Sequence, residues 1–365
     1  MATWPAKTNY ATGDVLSAAN MNAIGEELND LYTNPPAATN SYYAGKNKII
    51  NGDFGVWQRG TSTSVSASSY GYGADRWGSY AGTGAALTLS RQTFTPGAAP
   101  VSGYESNYFF RYNRTTTGSA ESYLFQRIED VTTFAGQTIT ISFWAKVGTG
   151  VSFTTGDIYL EQDFGTGGSS TVTTNVNTST QAITTSWVRY SFTVAVPSIS
   201  GKTIGTSSNL SLVFRFPTTF STFTFDLWGV QVEAGSVATP FQTATGTKQG
   251  ELAACQRYYY RISTDTNYNL FAAGNASSTT NAYIQLVHPV ALRVKASSVE
   301  YSNLGVGFVG GTVNAVTNLV LDSASASTLR QNLTTTVASG LTANNYYTLI
   351  GNNSSSAYLG ISAEL

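Results

Sequence analysis

The side chains able to do covalent chemistry are few in this 365-residue sequence, which holds one histidine, His288, and one cysteine, Cys255. A serine–histidine relay could form only at His288. That residue precedes Pro289 in an extended run, and no Gly-x-Ser-x-Gly elbow or His-Glu-x-x-His segment occurs. A hydrogen-bonded structural histidine is the expected role. Cys255 falls in a short helical stretch with Leu252 and reads as a small buried apolar residue, not a nucleophile. A lone cysteine also excludes an internal disulfide or a thiolate metal cluster. Gly71-Tyr72-Gly73 and Gly165-Thr166-Gly167 lack the Lys-Ser/Thr and following helix of a phosphate cradle. Glycoside hydrolysis needs two facing carboxyl groups, and the pairs on offer are Glu129 with Asp130, Glu161 with Asp163, and Asp226 with Glu233. With 20 acidic residues set against 19 basic ones, turn capping and ion pairing are the expected uses. Asp53 and Asp226, near the two ends of one strand-rich region, form a weak candidate pair for a structural calcium ion. No cofactor is expected.

Binding chemistry is better represented. In the alternating run Thr138–Val147, Ile139, Ile141, Phe143, Ala145 and Val147 share one face, while Trp144 falls among Thr138, Thr140, Ser142 and Lys146 on the other. By the same parity Arg189 and Arg215 point outward, and Tyr159 shares a face with Glu161. An exposed aromatic ring beside planar polar side chains suits a sugar, whose apolar face stacks while its hydroxyls are gripped. The aromatic segment 70–80, with Trp77 and Tyr80, offers the same chemistry. In each case the competing expectation is plain burial, Trp144 under a covering segment and Trp77 as a plug at the end of a sandwich.

The elements that would position these residues follow from composition and pattern. Charged residues make up 11% of the chain, Ser and Thr number 93, and aromatic content is 13%. Disordered chains lack aromatics, so this one folds. A formal net charge of −1 excludes an electrostatic nucleic-acid binder. No apolar signal region opens the chain, and no apolar run is long enough for membrane insertion.

Four regions are expected. Residues 1–45 form an arm containing Trp4 and a short helix whose Met21, Ile24, Leu28 and Leu31 recur at a/d spacing. That helix either packs on its own domain or serves as an oligomerisation or docking seam. Residues 46–245 form a jelly-roll β-sandwich, with Gly229 as a bulge where the apolar parity shifts. Residues 246–262 form a helical hinge, and residues 263–365 a smaller C-terminal β-domain. The fold class is thus all-β, a jelly-roll sandwich plus a smaller β-domain with a short N-terminal helix.

An ordered series of segments carries a resemblance. It runs through Asn47-Lys48-Ile49-Ile50-Asn51-Gly52-Asp53-Phe54, Val56-Trp57-Gln58-Arg59-Gly60, Ala74-Asp75-Arg76-Trp77, Gln126-Arg127-Ile128-Glu129, Ile141-Ser142-Phe143-Trp144-Ala145-Lys146, Trp228 to Gly235, Thr239-Pro240-Phe241 and Glu251 to Tyr259. In this order it resembles tail fibre and other virion structural proteins of tailed bacteriophages, over about residues 47–260. Pro289-Val290-Ala291-Leu292-Arg293 and the segment Thr12–Asn22 resemble further parts of such proteins. The resemblance implies a fold similar to jelly-roll carbohydrate-binding modules, attachment to other virion proteins through the N-terminus, a homotrimer, and localisation to the virion after synthesis in a host cytoplasm. The expected function is non-catalytic adhesion to host-surface polysaccharide. A head fibre or decoration protein without a receptor role is the first alternative, and a glycan depolymerase the second.

Overall fold

The computed structural model describes residues 44–101, 104–148, 151–308 and 311–365, which belong to one compact unit, Ala44–Leu365. The expected N-terminal arm with Trp4, and its helix with Met21, Ile24, Leu28 and Leu31, lie outside the described residues.

The chain is nearly all β. Two six-stranded antiparallel sheets face each other as a jelly-roll sandwich. The first runs in the order Ser62–Val65, Ala86–Thr93, Tyr108–Thr116, Phe223–Ala234, Thr138–Val147, Val188–Ala195. The second runs Val172–Asn175, Ile158–Asp163, Asn209–Phe216, Ser122–Glu129, Gly78–Ala81, Ser69–Tyr72. Strand alternation dictates what lies between them. Phe143 of the first sheet meets Phe214 of the second at 5.1 Å between ring centroids, and Tyr112 meets Phe216 at 4.3 Å. Each such ring contributes about 1.5–3 kcal/mol by leaving water.

The expected bulge forms at Gly229. Register slips between Trp228 and Gln231, and Gly229 takes φ +64°. The slip moves the inward set from Phe225 and Leu227 to Val230 and Val232. A Cβ at this position would stand 2.7 Å from Cε3 of Trp144, so glycine is required twice over, by its backbone and by the ring against it.

One α-helix is found among the described residues, α1 (Lys248–Gln256), capped by Thr247, whose side chain accepts from the Gly250 N–H. It leads into the strand Tyr259–Ser263 of a three-stranded sheet and on to a closed six-stranded barrel. The barrel has its own core, including Ile284, Leu286, Leu333 and Leu349. Closure draws in Leu270–Ala276, Leu304–Gly307 and Arg330–Val337, each paired with other strands of the barrel, and sequence alternation alone does not flag these three. The sandwich is tied to the helix end by Arg257 on Glu129 at 3.0 Å, and to the C-terminal end of the three-stranded sheet by Arg59 and Arg76 on Glu364.

Candidate functional site

The two outer faces of the sandwich differ. On the first sheet the outward residues around Trp144 are covered. Trp144 is 8% exposed and Trp228 fully buried, with their rings 5.3 Å apart. Tyr104 and Phe241 close over Trp228 at 5.6 and 5.0 Å. The segment following the Phe223–Ala234 strand folds back: the Thr140 hydroxyl donates to the Gly235 carbonyl at 2.8 Å, and the Gln242 N–H to the Gln231 side-chain oxygen at 2.8 Å. Trp144 is therefore a core residue and not a sugar platform. Its strand parity is as expected, but an overlying segment takes the place of solvent. Arg189 is part of the same cover, its guanidinium 4.6 Å from the Trp144 ring centre, donating to Ser142 Oγ at 3.1 Å and to the Thr239 carbonyl. Trp77 is likewise buried, its indole N–H donating to the Asn51 carbonyl at 3.1 Å, and presents no ring to a ligand.

The outer face of the second sheet is different. Register places Tyr70, Tyr80, Tyr123 and Arg215 side by side across four strands. A neighbouring row holds Gly78, Phe125, Val213 and Tyr159, and a third holds Arg127, Ser211, Glu161 and Thr173. Tyr70 is 67% exposed, Tyr80, Tyr123 and Tyr159 are partly exposed, and Phe125 and Val213 form a floor at 8% and 6%. The Tyr70 and Tyr80 rings lie 4.8 Å apart, Tyr80 and Tyr123 6.3 Å. At about 4.8 Å per strand, the row from Tyr70 to Arg215 is roughly 14 Å long.

Its polar groups are held in place. Arg215 donates to the Asp157 carboxylate at 2.8 and 3.0 Å and to Glu121 at 3.1 Å, while the Tyr123 hydroxyl donates to the other Glu121 oxygen at 2.9 Å. Burial, then the Glu121 carboxylate, pushes the Tyr123 phenol up to about 12. Burial and then Glu161 raise the Tyr159 phenol, and burial followed by Asp163 raises Glu161. These phenols stay neutral hydrogen-bond donors across the physiological range.

Four sequence-derived candidates, Tyr80, Tyr159, Glu161 and Arg215, thus fall on one face. Tyr123, Phe125 and Arg127 were not anticipated. The alternation Tyr123-x-Phe125-x-Arg127, opposite Leu124, Gln126 and Ile128, is the signal that points to them.

The remaining chemical candidates have structural partners. Asp226 accepts from Arg111 at 2.6 and 2.8 Å with Lys146 at 3.8 Å, so side-chain cations already occupy the carboxylate that was paired with Asp53 for calcium. No cluster of three metal-ligating side chains occurs among the described residues. Glu129 is held by Arg257 and Tyr258, Glu233 by Lys46 and Thr239, and Asp163 by the Gly165 N–H and Asn209. His288 Nδ1 lies 2.8 Å from the Tyr260 hydroxyl, and burial lowers its pKa. Burial pushes the Cys255 thiol well above its ordinary value, away from thiolate chemistry.

No family model and no curated protein sequence matches the chain. Among solved structures, it is similar to the CBM22-1 xylan-binding domain of Paenibacillus barcinonensis Xyn10C, at 14% identity, 53% coverage of this chain, 98% of that one and TM-score 0.32. The tandem CBM22-1–CBM22-2 domain of the same protein gives 9% identity, 89% and 98% coverage and TM-score 0.33. Tailspike protein 4 of bacteriophage CBA120, in its enzymatically active domain, gives 14% identity, 52% and 22% coverage and TM-score 0.32. Likenesses of this size do not bear on ligand or assembly.

Proposed function

We propose that this protein is a virion structural protein of a tailed phage, a tail fibre or receptor-binding protein, that adheres without turnover to host-surface polysaccharide. The observation that carries the binding is the ladder of Tyr70, Tyr80 and Tyr123 on a partly exposed sheet face, flanked by Arg215, Tyr159 and Glu161. Aromatic rings offer apolar area to sugar faces, and the fixed Arg and Tyr groups offer hydrogen bonds whose ordering cost is already met. The carboxylates that hydrolysis would require are largely committed to Arg, Lys and backbone partners, which favours adhesion over cleavage. Attachment through residues 1–45 and a trimeric state rest on the sequence resemblance; avidity from such symmetry would multiply weak sites.

The test is retention on an array of bacterial surface glycans, with Tyr80→Ala and Tyr123→Ala as probes. Specific retention lost in both variants is the expected result. New reducing ends released from a retained polysaccharide would overturn the non-catalytic reading. Deleting residues 1–33 should leave a folded β-protein that no longer joins particles, and retained incorporation would sink the attachment role.

A further inference from the structure

A cavity of about 660 Å³ lies where the 53–58 turn, the 104–108 segment and the start of α1 meet, and it shares no residue with the aromatic face. That volume suits a small ligand. One wall is the Trp57 ring, which is held by an N–H bond to the Phe54 carbonyl at 2.7 Å and by stacking on Phe110 at 5.8 Å. Three carboxylates line the cavity, Asp53, Glu105 and Glu251, against one ammonium, Lys248. In a chain only 11% charged this is a local concentration of one sign, formally −2 from three negative and one positive groups.

The carboxylates are not equivalent. Glu251 is buried and saturated, accepting from the Asn51 N–H at 2.7 Å and from the Thr245 N–H and hydroxyl at 2.7 and 2.9 Å. Glu105 accepts from the Gly97 N–H at 3.2 Å, and Asp53 from the Gly55 N–H of its own turn at 3.3 Å. Asp53 thus carries a weakly compensated charge beside a fixed one. A positive ligand would relieve both, and an apolar ring body would lie against Trp57. Asn107 and Thr243 also line the cavity and supply partners for hydroxyls.

We propose that this cavity binds an amine-bearing sugar, with Asp53 recognising the ammonium and Trp57 the ring. Burial, then the Glu251 charge, raises the Asp53 carboxyl to about 6, with Lys248 acting weakly the other way. Binding is therefore proton-linked. Asp53 must ionise to hold the ammonium, so affinity rises with pH through this range, by about tenfold between pH 5 and 7.

The experiment is calorimetric titration of the full chain with glucosamine and with N-acetylglucosamine at pH 5 and pH 7. Expected are saturable glucosamine binding at pH 7, at least tenfold weaker binding of the N-acetyl form, and about tenfold weaker glucosamine binding at pH 5. Asp53→Asn should bind glucosamine at least fivefold more weakly at pH 7 and lose the pH dependence while melting like the parent protein. Tyr123→Ala should bind glucosamine unchanged, which separates this cavity from the aromatic face. Equal binding of the two sugars, no binding of glucosamine, full binding by Asp53→Asn, or loss in Tyr123→Ala would each overturn the proposal.

Discussion

Trp144→Ala and Tyr70→Ala together separate core from binding surface. Trp144 is 8% exposed and packed by Trp228, Phe241 and the Arg189 guanidinium. Removing such a ring costs about 3–5 kcal/mol through lost transfer and cavity terms. The stranded half-buried guanidinium adds about 0.5–1 kcal/mol. For a domain of this size each kcal/mol lowers Tm by about 2–4 °C, so a fall of roughly 7–24 °C is expected. Tyr70 is 67% exposed on an edge strand, and its loss should cost under about 1 kcal/mol of stability. It removes one rung of the aromatic ladder, however, and about 1–1.5 kcal/mol of stacking corresponds to roughly a tenfold weaker glycan affinity. Differential scanning calorimetry and glycan retention, run on both variants, give the assay. The reverse pattern, a stable Trp144→Ala protein that no longer binds beside a Tyr70→Ala protein that binds normally, would refute the assignment of both faces.

Three further outcomes follow from the packing. Gly229→Ala should lose about 2–4 kcal/mol in urea denaturation, because a left-handed φ and a 2.7 Å contact with Trp144 act together; wild-type stability would show that the bulge relaxes freely. Arg111→Met leaves buried Asp226 with only Lys146 at 3.8 Å and should cost about 3–5 kcal/mol in urea denaturation; wild-type stability would argue against the pairing. His288, the single histidine, gives one assignable ring resonance, which should titrate below 6.5 because burial disfavours the imidazolium. Its depressed folded pKa means that its contribution is intact above about 6.5 and lost as pH falls through the lower value. A midpoint at or above 6.5 would contradict the burial.

Period-two alternation in Thr138–Val147, Val188–Ala195 and Asn209–Phe216 makes the all-β class legible, and the parity shift at Gly229 locates the bulge. Thr247 before α1 is an equally local signal. The barrel was less legible, because Leu270–Ala276 and Leu304–Gly307 are rich in Ala and Gly and have no strong alternation; their strand state comes from pairing with distant partners such as Tyr346–Gly351.

The sequence by itself determined which residues share a face of each strand, since side-chain direction in a strand depends only on position along it. Trp144 with Ser142, and Tyr159 with Glu161, follow from that alone. Which outward face meets solvent is not local. It was decided by the 236–246 segment and by Tyr104 closing over the first sheet, while the aromatic face of the second was left partly exposed. Burial of a strand's outer face depends on chain a hundred residues away, so only the tertiary structure could move the candidate site from Trp144 to the ladder of Tyr70, Tyr80 and Tyr123.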